Sequence, residues 1–250
     1  MNTTIDSLQL GQILEKLHNK KIDNVIMEAS SHGLDQNRLD GLQFSTGIFT
    51  NLSQDHLDYH KNLKDYLNAK LILFKKLMKK GSFAIFDEDI KYAKILKNIC
   101  KKNKIKKFTI GELNGDLLIE KYSIVDNKQE LTFSFNKKKY NLKTQLIGKI
   151  QIKNLLMSIL AAHKSNIKLD NILKSVENIK AVPGRFEEIG NFKNNSIAIL
   201  DYAHTPDALK TCVLNIKEQF KHRKVNLVFG CGGDRDKPKR SIMGKIANDL

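Results

Sequence analysis

The chain has 250 residues, 41% of them hydrophobic, and a formal net charge of +16. That is enough to bury a proper core in one or two domains. Three prolines and the lack of a long polar tract exclude extended disordered linkers, and no signal peptide or membrane span is predicted.

Cys100, Cys212 and Cys231 are scattered and fit no C-x-x-C pattern, which points to a reducing cytosol without a disulfide framework or zinc site. Of the 43 basic residues five are arginine, and the lysines are spread along the whole chain. Aromatic residues interleaved with them, as a nucleic-acid stacking platform needs, are missing. Lysine on solvated faces is therefore favoured over a nucleic-acid-binding domain, which stands as the alternative from another class.

Residues 6–20 read as an amphipathic helix, 22–29 (IDNVIMEA) as a buried strand and 46–51 (TGIFTN) as a second strand. A polar loop leads into a helix over 62–79, then the strand SFAIFD (82–87) and a helix over 89–103. This alternation predicts an α/β layer with parallel pairing. From 117 to 147 the pattern changes to a small antiparallel set with Asp126-Asn127 as a turn, and helices follow at about 151–163 and 169–178. Pro183-Gly184 marks a domain boundary. After it come the strand SIAILDY, a helix over 206–220 capped by Thr205 with Pro206 at its first position, the strand VNLVFG, a glycine-rich loop and another helix. The chain ends within that helix, so truncation is expected.

In the helix NLKDYLNAKLILFKKLMK, Leu63, Tyr66, Leu67, Phe74 and Leu77 share one face, and Lys70 falls near its middle. An unpaired charge there costs several kcal/mol. Two readings stay open. Lys70 snorkels to the helix edge, or its neutral amine adds carbon dioxide to form an anionic carbamate that offers oxygens to a hard cation. The loop TNLSQDHLDYH brings Asp55, His56, Asp58 and His60 just past a strand end, where open α/β sheets bind ligands, and Glu28 closes the preceding strand. Glu28 and His56 converge on a cation or simply hydrogen-bond the loop.

Other constellations are weaker alone. SSHGLDQNR collects hydroxyls, an amide and Arg38, which suits an anionic substrate or ordinary turn chemistry. GCGGDRD follows a strand as a phosphate loop would, yet fits neither G-x-G-x-x-G nor the P-loop pattern. DYAHTPDAL places Asp201 and His204 at another strand end, where a nucleotide edge fits.

The strings NTT at 2–4, MEASSHGLDQNR, FTNLSQDHLDYH, AK at 69–70, PGRFE, DYAHTPDAL and FGCGGDRDKPKR together resemble the Mur ligase family, in the family's order over essentially the whole chain. The resemblance implies a mononucleotide-binding-type central α/β domain with a small antiparallel element (residues 1–181), then a partial Rossmann-like α/β domain (182–250). It implies an ATP- and Mg²⁺-dependent ligase of peptidoglycan-precursor synthesis that joins an amino acid, meso-diaminopimelate or lysine, to a nucleotide-linked muramoyl dipeptide through an acyl phosphate. The enzyme would act as a cytoplasmic monomer, without nucleic acid or membrane as partner.

By the same resemblance Lys70 is carbamylated and holds magnesium with Glu28 and His56. Asn2, Thr3, Thr4, Ser30, Gln36 and Arg38 hold the muramoyl dipeptide, and Arg185, Asp201 and His204 face the nucleotide. The chain departs from the family at NTTI and at GKIQIKN (148–154). The family's uridine-nucleotide domain, phosphate-binding loop and amino-acid selectivity motif are not in it, so the polypeptide alone is expected to be inactive. A folylpolyglutamate-type ligase is the nearest rival, and SSHGLDQNR favours the muramoyl branch.

Overall fold

The computed structural model describes residues 3–53, 55, 56, 59–232 and 238–250. Eight strands form two sheets among these residues, a six-stranded one in the order β1-β2-β3-β4-β5-β6 and a two-stranded one, β7-β8. The larger sheet comprises β1 (Phe44–Phe49), β2 (Met78–Asp87), β3 (Lys106–Gly111), β4 (Leu117–Val125), β5 (Lys128–Phe135) and β6 (Lys138–Thr144). β3 and β4 are parallel, whereas β4-β5 and β5-β6 are antiparallel. The mixed α/β class is as the alternation predicts, and the antiparallel set lies within 117–147.

By contact density the chain divides into two compact units. The first is Met1–Leu52, His56–Ala84 and Lys91–Lys107, and the second is Ser53–Asp55, Ile85–Ile90 and Phe108–Leu250. In the first unit, α1 (Ser7–Asn19) starts at Asp6, whose carboxylate accepts from the Gln9 amide. A short α2 (Ser31–Asp35) is capped by Ser30. Helix α3 (Leu63–Ile72) begins at Asn62, which accepts from the Asp65 amide at 2.9 Å, and runs into a π-helical turn, Leu73–Leu77. Asn103, at the end of α4 (Ala93–Asn103), donates to the carbonyls of Phe74 and Lys75 and so satisfies groups that the π turn leaves open.

The expected helix over 62–79 therefore stops at Leu77, and Met78 to Lys80 already belong to β2. A second correction concerns 22–29. This segment has no regular secondary structure and pairs with no strand among the described residues, and Ile26 is 98% exposed. Its apolar run gave the strand expectation; without a sheet neighbour to shield it, no buried ladder forms. The same holds for VNLVFG, where Val228 is 96% exposed.

In the second unit β5 buries Gln129, Leu131, Phe133 and Phe135 on alternate positions, the period of a half-buried strand. Asp126 and Asn127 both take positive φ, 49° and 60°, between the paired residues Val125 and Lys128. That is the mirror-image hairpin turn expected from Asp-Asn. Helices α5 (Lys149–Lys164) and α6 (Leu169–Val176) bury Ile152, Leu156, Leu160, Ile172 and Val176. β7 (Glu187–Asn191) pairs antiparallel with β8 (Ile197–Leu200). Helix α7 (Pro206–Gln219) carries the expected cap, Thr205 Oγ1 accepting from the Ala208 amide, and α8 (Pro238–Asp249) follows. No helix among the described residues is long and apolar enough to cross a membrane.

Candidate active site

The SSHGLDQNR segment is tied to Thr4, which is 1% exposed. The Thr4 hydroxyl donates to the Glu28 carbonyl and accepts from the Ser30 amide, both at 2.9 Å. Ser30 Oγ in turn accepts from the Gly33 amide at 3.1 Å and starts α2. A Cβ on Gly33 would stand 2.6 Å from Thr4 Cβ, so glycine here permits the close approach of helix and threonine. Arg38 Nη1 donates to the Thr4 carbonyl at 2.6 Å, and Nη2 donates to Gln36 Oε1. Thr4, Ser30, Gln36 and Arg38 are thus gathered in one network. Thr3 is exposed, and Asn2 lies outside the described residues.

Against Ser31 and His32 of the same segment, rings cluster. His60 is 4% exposed, lies 2.9 Å through Nε2 from Ser31 Oγ, and stacks on Tyr66 at 5.1 Å. Tyr66 also meets His56 edge-on at 5.7 Å and lies 5.5 Å from Lys70 Nζ. Lys70 Nζ donates to the Asn51 carbonyl at 2.8 Å and stands 5.3 Å from the Phe49 ring. Lys70 is half-buried, and Tyr66, Leu67, Phe74 and Leu77 are buried as expected. Leu63 is exposed, however, and Phe74 and Leu77 fall in the π-helical turn, so the single helix face expected over 63–77 is only partly present. His56 takes a positive φ of 55°.

Glu28 joins this unit through its backbone and its side chain is exposed. Among the described residues no three His, Cys, Asp or Glu side chains gather closely enough to hold a metal ion by themselves. With Lys70 as an ammonium, the set Glu28, His56 and Lys70 carries one carboxylate, one imidazole and one cation, which does not suit magnesium. With Lys70 as a carbamate, these three residue types would supply two carboxylate-type groups and an imidazole, donors of the kind a hard cation takes.

In the second unit Asp201 organises the start of the segment before α7. Its Oδ2 accepts from the Phe186 amide at 3.0 Å and its Oδ1 from the Ala203 amide at 2.9 Å. Phe186 holds a positive φ of 49°, a conformation fixed on one side by this bond. The Arg185 guanidinium lies 4.9 Å from the Tyr202 ring, which meets His204 edge-on at 5.1 Å. His204 Nε2 is 3.4 Å from Asp55, so Asp55 belongs with His204 in this unit. Burial, with the Asp201 charge adding to it, pushes the nearby Cys212 thiol up to about 12 and keeps it protonated. Of GCGGDRD, positions 233–236 lie outside the described residues, as does Asp58 of the earlier loop.

Several contact residues escaped sequence reasoning. Tyr59, His32, Ser31 and Asp35 all touch this network across separations that no local period reveals. The available signal was the adjacency of Tyr59 and His60 to the candidate metal ligand His56.

Fold and site together define a chain of the Mur ligase family: residues 1–162 match the Mur ligase middle domain, residues 184–250 match the Mur ligase glutamate ligase domain, and the chain belongs to that family. Among its relatives, a UDP-N-acetylmuramoyl-L-alanyl-D-glutamate–2,6-diaminopimelate ligase of Rickettsia montanensis is 41% identical over 98% of this chain and 50% of its own length. The enzyme of that name from Fusobacterium nucleatum is 41% identical over 100% of this chain and 50% of its own. A solved structure of a ligase with this name superposes with a TM-score of 0.75 at 30% identity, covering 98% of this chain and 50% of the other. The chain thus spans about half the length of the relatives it matches.

Proposed function

We propose that this chain is the central part of an ATP-dependent ligase that adds meso-diaminopimelate to UDP-N-acetylmuramoyl-L-alanyl-D-glutamate in peptidoglycan-precursor synthesis. Residues 1–181 would form its ATP- and substrate-binding domain and 182–250 part of its C-terminal domain, in a cytoplasmic monomer. The observation that carries the reading is the relatives' shared name at about 40% identity over essentially all of this chain, together with the Thr4–Arg38 network. Thr3, Thr4, Ser30, Gln36 and Arg38, with Asn2, would hold the dipeptide, Arg38 pairing its guanidinium with an anionic group. Arg185, Asp201 and His204 would meet the nucleotide.

In such a ligase the substrate carboxylate oxygen takes the terminal phosphoryl group of ATP, ADP leaves, and the amine of diaminopimelate displaces phosphate from the acyl carbon. Lys70, as a neutral amine, adds carbon dioxide and releases one proton to give the carbamate. Glu28, His56 and the Lys70 carbamate would hold magnesium, which when bound supplies neutralisation of charge on the phosphoryl oxygens.

The test is ligation by the full-length enzyme carrying these residues, supplied with ATP, Mg²⁺, the muramoyl dipeptide and either diaminopimelate or lysine. Formation of ADP, phosphate and the diaminopimelate tripeptide is expected. Ligation of glutamate to a folate instead, or no dipeptide-dependent ADP release, would overturn the reading.

A further inference from the structure

We propose that Tyr59 is a positioning residue that orients Gln36 and, through it, Arg38; this rests on the reading of the 30–38 segment as the dipeptide-binding loop. The Tyr59 hydroxyl donates to Asp35 Oδ2 at 2.9 Å and accepts from Gln36 Nε2 at 3.2 Å. Gln36 Oε1 accepts from Arg38 Nη2, and Arg38 Nη1 holds the Thr4 carbonyl. Every donor therefore points the same way, from the Arg38 cation through Gln36 and Tyr59 to the Asp35 anion.

A chain with a charge at each end polarises its members and tolerates one arrangement of donors and acceptors. An isolated glutamine amide is free to rotate by half a turn. Here its carbonyl must face Arg38 and its NH₂ must face Tyr59, so the hydroxyl decides which end of the amide meets the guanidinium. The ring is placed separately, with its centre 4.1 Å from the His32 ring. Arg38 is half-buried with further N–H donors left for an anion, whereas Asp35 and Gln36 are exposed. The hydroxyl is thus an ordering device on an open surface, where an unaided Gln36 and Arg38 would sample many rotamers.

Tyr59→Phe removes the hydroxyl and leaves the ring against His32. In the full-length ligase this variant should raise the KM for the muramoyl dipeptide about tenfold, the scale of one net hydrogen bond to an ionised network. The kcat and the KM for ATP should stay within about twofold of the parent, because no reacting atom is touched. Asp35→Asn keeps an acceptor oxygen but removes the charge that sets the direction of the chain, so its dipeptide KM should fall between those of the parent and Tyr59→Phe, whereas Asp35→Ala should follow Tyr59→Phe. Adding Tyr59→Phe to Gln36→Ala should cost nothing more if the tyrosine acts only through the glutamine. A parent-like dipeptide KM for Tyr59→Phe, with Arg38→Ala impaired, would overturn the role of Tyr59 alone. A parent-like KM for Arg38→Ala would overturn the loop reading and this inference with it. An equal fall in kcat for every substrate would also overturn it, since that marks a general structural defect.

Discussion

Lys70 in the first compact unit and Lys153 in the second are both half-buried lysines on helices, and they touch different groups. Lys153 Nζ lies 2.7 Å from Asp87 Oδ2 and 3.4 Å from Glu112, with Asp87 only 4% exposed. Burial pulls the Lys153 pKa down, but the hydrogen bonds and charges of Asp87 and Glu112 together outweigh it and leave it raised. Lys153 is locked as an ammonium. Lys70 rests on the Asn51 carbonyl and the rings of Phe49 and Tyr66. Lys153 thus closes an ion pair with a buried carboxylate, whereas Lys70 sits beside the ring cluster of the first unit.

Substitution should break the two lysines in opposite ways. In the full-length ligase Lys70→Ala is expected to lower kcat by more than about a thousandfold, an effect above roughly 4 kcal/mol, while the melting temperature changes little. Added short carboxylates should restore part of that activity by supplying the missing anionic oxygens. A Lys70 that merely snorkels predicts near-normal turnover and no response to carboxylates. Lys153→Ala should instead destabilise the fold by on the order of 2–4 kcal/mol, since it strands the buried Asp87 carboxylate. Chemical denaturation of both variants checks the contrast.

Smaller effects sharpen it further. Gly33→Ala forces a methyl group against Thr4 and should cost about 1–3 kcal/mol, with the dipeptide KM rising in parallel. Thermal melting alongside kinetics would separate the two. Glu112 is held below the usual carboxylate range, first by its hydrogen bond from Lys149, against which burial works, and then by the charges of Lys149 and Lys153. A depressed carboxylate pKa contributes stability that is present above about pH 4.5 and is lost as pH falls through the lower folded value. Glu112→Gln should therefore flatten the acid limb of the stability–pH profile, by an amount kept small because the side chain is partly exposed.

Much of this was legible in the residues. Thr205-Pro206 announced a helix start and Asp126-Asn127 a hairpin turn, because each depends on neighbours in sequence; the apolar face around Lys70 held only in part, since Leu63 is exposed. The segments 22–29 and 225–230 misled, since an apolar run specifies a buried strand only where a sheet partner covers it. Tyr59 and Asp35 stand 24 residues apart, and their hydrogen bond exists only once α2 and the following loop are folded together. The π turn after Lys70 was likewise invisible, because it depends on Asn103 reaching the carbonyls of Phe74 and Lys75.

The central claim is the chemical state of Lys70, and ¹³C NMR of the protein equilibrated with ¹³C-labelled carbon dioxide reads it directly. A carbamate resonance present in the parent and missing from Lys70→Ala, with Lys153→Met leaving it in place, is the predicted result. Spectra of the parent and of Lys70→Ala that match each other, with Mg²⁺ and nucleotide present in the full-length enzyme, would contradict it.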